Sequence, residues 1–238
     1  MIDIGPRLAG LDSTEDYLID EHLNYMYEVD TAHVLPLLPP PLSPKEPRPG
    51  KSLINVGYMK FDGTQIGGLR DTIELTLSIV INPDLSLDMP VPRMCVYDFR
   101  IASNCPVFLA HEDEIQKLRG MHLPGLSRRF DDSGHRLEVW DDTGPIFTFL
   151  NPNPDPVYKF EQATGQYVSR HPDGLYQGVF FWEGVGCEQQ WDGDCGTLHP
   201  HPFYQEIDVA WAESCFVQMF LPRPTQVLFR SFVPRRIA

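Results

Sequence analysis

Glu74 lies in the cleanest alternation of the chain. From Asp71 to Asn82 the apolar residues Ile73, Leu75, Leu77, Ile79 and Ile81 interleave with Thr72, Glu74, Thr76 and Ser78. That is the period of a strand with two unlike faces, and it puts Glu74 opposite the leucines. If that face is enclosed, burial raises the pKa of the carboxyl group, which can then serve as a general acid or base. On an open sheet the same residue would face solvent. Arg128 and Arg129 form a second candidate set, since one guanidinium could hold a carboxylate or an enolate. Their alternative is a pair of surface arginines on a strand edge. His122 has the chemistry of a proton shuttle, although a lone histidine is more often structural.

A third set is Gly193-x5-His199-x-His201-x4-Glu206. Two histidines at i and i+2 on a strand share one face, and a nearby glutamate can complete a facial metal triad. Against this, Pro200 and Pro202 interrupt the strand, and no histidine follows His201. The sequence therefore reads better here as a loop without a ligand role. No nucleophile-elbow, P-loop or dinucleotide glycine motif occurs, so serine-hydrolase, nucleotide and dinucleotide readings have no local support.

The elements that must position these residues follow from the composition. The chain has 238 residues, 23 prolines and 18 glycines, which points to many short strands joined by turns. A formal charge of -14 argues against nucleic acid and an anionic membrane surface as partners. The N-terminus lacks a basic segment followed by an apolar one, and no apolar run approaches membrane-spanning length, so a cytoplasmic protein is expected. Five cysteines without a C-x-x-C pair fit free thiols; Cys187 and Cys195, flanking Trp191 to Asp194, could pair across a hairpin.

Residues 1–32 are acidic, and Ser13 to Tyr27 suits a short helix with Ser13 and Thr14 at its start. Strands are expected over Ser52–Phe61, Asp71–Asn82, Arg93–Ile101, Leu137–Trp140, Ile146–Leu150, Val157–Phe160, Gly178–Trp182, Phe203–Ala212 and Phe216–Leu221. Asn104 to Arg119 reads as a helix with Phe108, Ile115 and Leu118 on its dry face and Asp113, Gln116 and Lys117 on its wet one.

From Asp30 to Leu150 the order of elements resembles the acetoacetate decarboxylase superfamily. A short helix runs into Leu37-Leu38-Pro39-Pro40-Pro41-Leu42. A strand with an aromatic-rich end follows (Val56–Phe61), then the strand Ile73-Glu74-Leu75-Thr76-Leu77. Met94-Cys95-Val96-Tyr97 leads to the helix and to Gly120-Met121-His122-Leu123-Pro124. The resemblance implies a β-barrel around a small apolar pocket, with Glu74 as an acidic pocket residue and Tyr58, Tyr97 and Leu123 lining it. It also implies a reactive lysine directly after the glycine-to-proline segment, where Gly125 stands here. Only a primary amine can form the imine on which that chemistry depends, so the covalent step is lost at this position. The nearest lysine is Lys117, on the preceding helix.

The expectation is a mainly β (α+β) protein: an acetoacetate decarboxylase-like closed antiparallel β-barrel with a few short helices. Residues 33–238 would form the barrel domain, with residues 1–32 packed on it. The function expected is an enzyme of secondary or carbonyl metabolism, with decarboxylase-, dehydratase- or cyclase-type enolate chemistry carried by Glu74, Arg128, Arg129 and His122. It would act non-covalently on a small apolar carbonyl compound, without cofactor or metal, and the resemblance allows a homo-oligomer. The alternatives are a non-catalytic binding protein and a cupin-like metalloenzyme using His199, His201 and Glu206.

Overall fold

Alternating β-branched and aromatic residues between glycine and proline turns produce fourteen strands among the described residues. The computed structural model describes residues 13–64, 69, 71–85, 92, 94–131, 136–150, 159–193, 196–213, 215–221 and 227–238. The strands are β1 (Ser13–Asp30), β2 (Lys51–Thr64), β3 (Thr72–Val80), β4 (Met94–Ser103), β5 (Gly120–His122), β6 (Ser127–Phe130), β7 (Arg136–Asp141), β8 (Gly144–Leu150), β9 (Lys159–His171), β10 (Gly174–Gly193), β11 (Gly196–Leu198), β12 (Cys215–Leu221), β13 (Val227–Phe232) and β14 (Arg235–Arg236). Two short helices, α1 (Thr31–Val34) and α2 (Pro106–His111), accompany them.

Seven strand positions close a barrel in the order β1-β2-β3-β4-β9-β10, with β12 and β13 sharing the seventh. β13 pairs with Ser13–Ile19 of β1, and β12 pairs with His22–Tyr27 further along the same strand. Both also pair with β10. Closure leaves the barrel wall without a free edge. One pair departs from the antiparallel barrel expected from sequence: β4 and β9 run parallel. Residues 104–158 intervene between them, and a crossover of that length permits parallel pairing.

A second sheet, in the order β11-β8-β7-β6, is antiparallel throughout and packs on the outside of the barrel. This divides the core in two. Tyr25, Tyr58, Leu75, Leu77 and Ile79 of the wall pack outward on Val139, Phe147 and Phe149 of the second sheet. The Tyr25 and Phe149 rings stack at 3.8 Å. Inside the barrel, Tyr17, Phe61, Phe108, Tyr167, Phe180 and Trp182 form a separate cluster. Because the leucines of β3 are taken by the outer layer, Thr72, Glu74, Thr76 and Ser78 turn inward.

Three sequence expectations change. The segment Ser13 to Tyr27 is strand, not helix, and Ser13–Asp30 forms part of the barrel wall. Its alternation of Leu23, Tyr25, Tyr27 and Val29 (all buried) with His22, Asn24 and Met26 has period two, and cross-strand pairing outweighs the helix-start signal at Ser13. Phe203–Ala212 forms two single 3-10 turns, Pro202–Tyr204 and Val209–Trp211, rather than a strand. The expected helix over Asn104–Arg119 is α2 followed by a π-helical turn, Glu112–Gln116, which ends at Lys117 in the left-handed region. The Cys187–Cys195 pairing lies outside the described residues, and Cys95 and Cys105 are free thiols. Among the described residues, no helix is long and apolar enough to cross a membrane.

Candidate active site

The inner faces of the wall strands surround a cavity of about 110 Å³. That is far more than one water needs. Met26, Met59, Phe61, Phe108, Phe180 and Trp182 supply most of its apolar wall. Three carboxyl groups face it: Glu74 from β3, Asp98 from β4 and Glu112 from the π-helical turn. No lysine or arginine lines it among the described residues.

Local geometry explains each placement. Glu74 is inward by the alternation of β3. Asp98 shares a face with Met94 and Val96, and its register partner on β3 is Ser78. A π-helical turn widens the helix by one residue per hydrogen-bonded ring. Here it turns Glu112 and Gln116, four residues apart, into the barrel, where they are 5% and 1% exposed. Leu118 N–H closes the turn on the Glu112 carbonyl at 2.9 Å. Tyr17 Oη donates to Glu112 Oε1 at 2.8 Å, Tyr167 Oη to Gln116 Oε1 at 2.6 Å, and Gln116 Nε2 to Ser231 Oγ at 3.1 Å. These bonds tether the turn to β1, β9 and β13. Gly57 faces inward on β2, and a Cβ there would lie 2.2 Å from Thr76 Oγ1 and 2.8 Å from Asn24 Oδ1. Only glycine lets those two polar groups approach.

Burial without a counter-charge dominates the electrostatics. It holds the Glu74 carboxyl well above its usual range, with the carboxylates of Glu112 and Asp98 adding to the effect. Burial pushes Asp98 up to about 7, against a lowering hydrogen bond from Ser78. Burial also lowers His22 to about 4, so its ring is neutral and accepts from Asn24 Nδ2. The stability consequences have opposite signs. Asp98 holds a proton in the folded state that the unfolded chain has released, so its stabilisation is lost as pH rises through about 7. The contribution of His22 is present above 6.5 and is lost as pH falls through about 4. Between pH 6.5 and pH 8 only the carboxyl groups act, so the melting temperature is expected to fall across that interval. Asp98→Asn should flatten the fall, as calorimetric scans of both proteins would reveal.

No family model matches the sequence, and no curated protein matches it. Solved structures do. Acetoacetate decarboxylase from Legionella pneumophila superposes with a TM-score of 0.59 at 13% identity, over 95% of this chain and 88% of that one. The enduracididine biosynthesis enzyme MppR complexed with pyruvate gives 0.57 at 10% identity, over 96% and 92%. An acetoacetate decarboxylase-like enzyme from Sphingomonas wittichii gives 0.53 at 10% identity, over 96% and 94%. The fold is the acetoacetate decarboxylase fold.

Within the acetoacetate decarboxylase fold, the residues singled out from sequence separate into two groups. Glu74 lines the cavity. Arg128, Tyr58, Tyr97 and Leu123 do not, and neither do Arg129 and His122. Tyr58, Tyr97 and Leu123 belong to the layer between barrel and second sheet, because they fall on the outward parity of their segments. Arg128 reaches into that layer, donating to Glu21 Oε1 at 2.7 Å and to Tyr58 Oη at 3.2 Å. Arg129 points the other way, to an exposed pair with Glu138. His122 lies on the surface near the Asn104 carbonyl. Gly125 also faces away from the cavity: a Cβ there would meet Asp142 Oδ1 at 2.2 Å, so a side chain at this position would enter the second sheet. Its lack of an amine therefore does not bear on the barrel interior. Lys117 points outward over the Tyr176 ring, while its neighbours Gln116 and Leu118 line the cavity.

The metal reading dissolves for a similar reason. His201 is held by Asp141 at 3.1 Å and Thr143 at 2.6 Å on Nε2, and its Nδ1 accepts from the Phe203 N–H at 3.0 Å. Glu206 pairs with Arg100, and His199 sits 3.3 Å from Thr148 Oγ1. The three do not converge, and among the described residues no group of three His, Cys, Asp or Glu side chains is placed to hold a metal ion.

Sequence reading missed Asp98, Glu112, His22 and Asn55. His22 was reachable through period two in β1, whereas Asp98 follows four apolar residues, Met94 to Tyr97, without alternation. Glu112 was reachable too, since it stands four residues after Phe108 and so on the dry face of a regular helix.

Proposed function

We propose that this protein is an enzyme that moves protons on a small, largely apolar carbonyl compound, without a covalent intermediate. One observation carries the reading: three carboxyl groups face a largely apolar cavity that no described lysine or arginine lines. MppR, which shares the fold, is described with pyruvate bound, which supports carbonyl chemistry in such a barrel.

The roles follow from the environments. Burial, and then the carboxylates of Glu112 and Asp98, raise the Glu74 carboxyl group well above its usual range, which suits it to act as the donor to a carbonyl oxygen. Asp98, at about 7, is matched to taking a proton from the adjacent carbon. Glu74 and Ser78, the register partner of Asp98, are four residues apart on β3, about 13 Å at ~3.3 Å per residue. Both carboxyl groups line the same cavity. The base takes the α-proton, its electron pair moves into the carbonyl, and the Glu74 proton shifts to the oxygen, giving an enol. Dehydration and cyclisation both pass through such a state.

The first test is exchange of the α-protons of 2-hexanone in deuterated water, followed by proton NMR. The protein is expected to accelerate exchange. Absence of acceleration across a panel of ketones of this size overturns the reading in favour of a binding protein without turnover. The covalent alternative is tested separately. 2-Hexanone followed by borohydride is expected to leave the intact mass unchanged, whereas a stable adduct on Lys117 would overturn the non-covalent mechanism.

A further inference from the structure

Among the described residues, the charged groups around the cavity are all acids. Glu74, Asp98 and Glu112 face it from β3, β4 and the π-helical turn. The other titratable groups on its wall are His22 and Tyr17 from β1 and Tyr167 from β9. His22 is neutral at physiological pH. A second observation is independent of the acids. Asn55 lines the cavity, is 2% exposed, and its Oδ1 has no hydrogen-bond partner, although its Nδ2 donates to Ser78 Oγ at 3.3 Å. A buried carbonyl oxygen left without a donor is costly, and a ligand carrying N–H groups would satisfy it.

We propose that the substrate bound in this cavity carries a protonated amine on an apolar body, and that the cavity rejects carboxylates. The inference rests on the reading of the cavity as the substrate site and adds the charge class of its occupant. An alkylammonium brings three N–H donors and no acceptor. It meets acceptors at Asn55 Oδ1 and at the carboxyl groups, and aromatic faces at Trp182, Phe61 and Phe180 suit a cation. A carboxylate would enter an apolar space where three acids repel it and no described cation receives it. Binding of the ammonium draws a carboxyl group into its ionised form and releases that proton to solvent. Amine affinity must therefore rise with pH through the range in which the cavity acids titrate.

The test is calorimetric titration of the intact protein with hexylamine, 2-hexanone and hexanoate at pH 6.5 and pH 8, in buffers of different ionisation enthalpy. At pH 8 hexylamine is expected to bind about tenfold or more tightly than 2-hexanone, the scale of one charge-assisted contact, and hexanoate not detectably. Amine binding should weaken at pH 6.5 and release protons. Glu74→Gln and Asp98→Asn should each reduce the preference for amine over ketone. Hexanoate binding as tightly as hexylamine overturns the inference, as does an amine affinity independent of pH. The wild-type series stands even if a variant fails to fold. If 2-hexanone binds and hexylamine gains nothing over it, the charge class fails while the carbonyl reading survives. If none of the three binds, both fail.

Discussion

Glu74→Gln is expected to lower the rate of α-proton exchange by roughly 10²–10⁴-fold, the range of a lost general acid, while the protein still binds 2-hexanone. The amide keeps the size of the carboxyl group and can still donate a weak hydrogen bond, but it has no proton to transfer. The substitution also removes an ionisable group that burial, and then the carboxylates of Glu112 and Asp98, disfavour in its charged form, so the fold should tolerate the change. The separation of effects is the point of the experiment: kcat falls and affinity for the ketone holds. If exchange proceeds at the wild-type rate, Glu74 is a wall residue and the proton moves through Asp98 and Glu112 alone. If binding is lost together with rate, Glu74 positions the ligand rather than transferring a proton to it.

Arg128→Ala carries the largest expected loss of stability. Glu21 is 1% exposed on the outer face of β1, and the Arg128 guanidinium lies 2.7 Å from its Oε1. Tyr58 Oη donates to Glu21 Oε2 at 2.6 Å and accepts from Arg128 Nε. Burial, and then the Glu21 carboxylate, push the Tyr58 phenol well above its usual range, so it remains a donor. Removing the guanidinium leaves a buried carboxylate without its cation, which costs about 3 kcal/mol or more. At roughly 2–4 °C per kcal/mol for a chain of this size, the melting temperature should drop by about 6–12 °C. Arg129→Ala, which removes an exposed pair with Glu138, should cost under ~1 kcal/mol. Adding Glu21→Gln to Arg128→Ala should restore part of the loss. Equal melting temperatures for the two arginine variants would show that the Glu21 pair does not clamp the second sheet to the barrel. Because this cluster lies on the far side of the wall from the cavity, folded Arg128→Ala should exchange α-protons at an unchanged rate.

These two experiments also mark how far the sequence could be read. Alternation in β3 was legible because eight residues, Thr72 to Ile79, carry it without interruption, and it delivered Glu74. The same rule does not deliver Asp98, because four apolar residues precede it without alternation, and β4 carries a register shift after it, between the Leu77 and Ser78 pairings. Arg128 and Arg129 were legible as a functional pair and misassigned. Adjacent residues on a strand point to opposite sides, and neither side of β6 is the cavity. Tyr58 failed for a related reason: in a two-layer protein a buried aromatic face can belong to either layer, and sequence does not label the layers.

The amino-acid sequence alone determined the strand-rich architecture, the placement of Glu74 on the face opposite the leucines of β3 and the resemblance that the acetoacetate decarboxylase fold bears out. Each of these depends on local patterns, such as two-residue periodicity, turn chemistry and element order, that are written in contiguous residues. Tertiary structure alone decided which face of each strand is the inside. The second sheet covers the leucines of β3 and so sends the polar face into the cavity. It also decided the identity of the acid cluster. Glu74, Asp98 and Glu112 come from three elements joined only by barrel closure, and Glu112 reaches the cavity through a π-helical turn held by Tyr17, far away in sequence. Side chains converging from distant segments leave no spacing to read, because the distance that matters is through the barrel rather than along the chain.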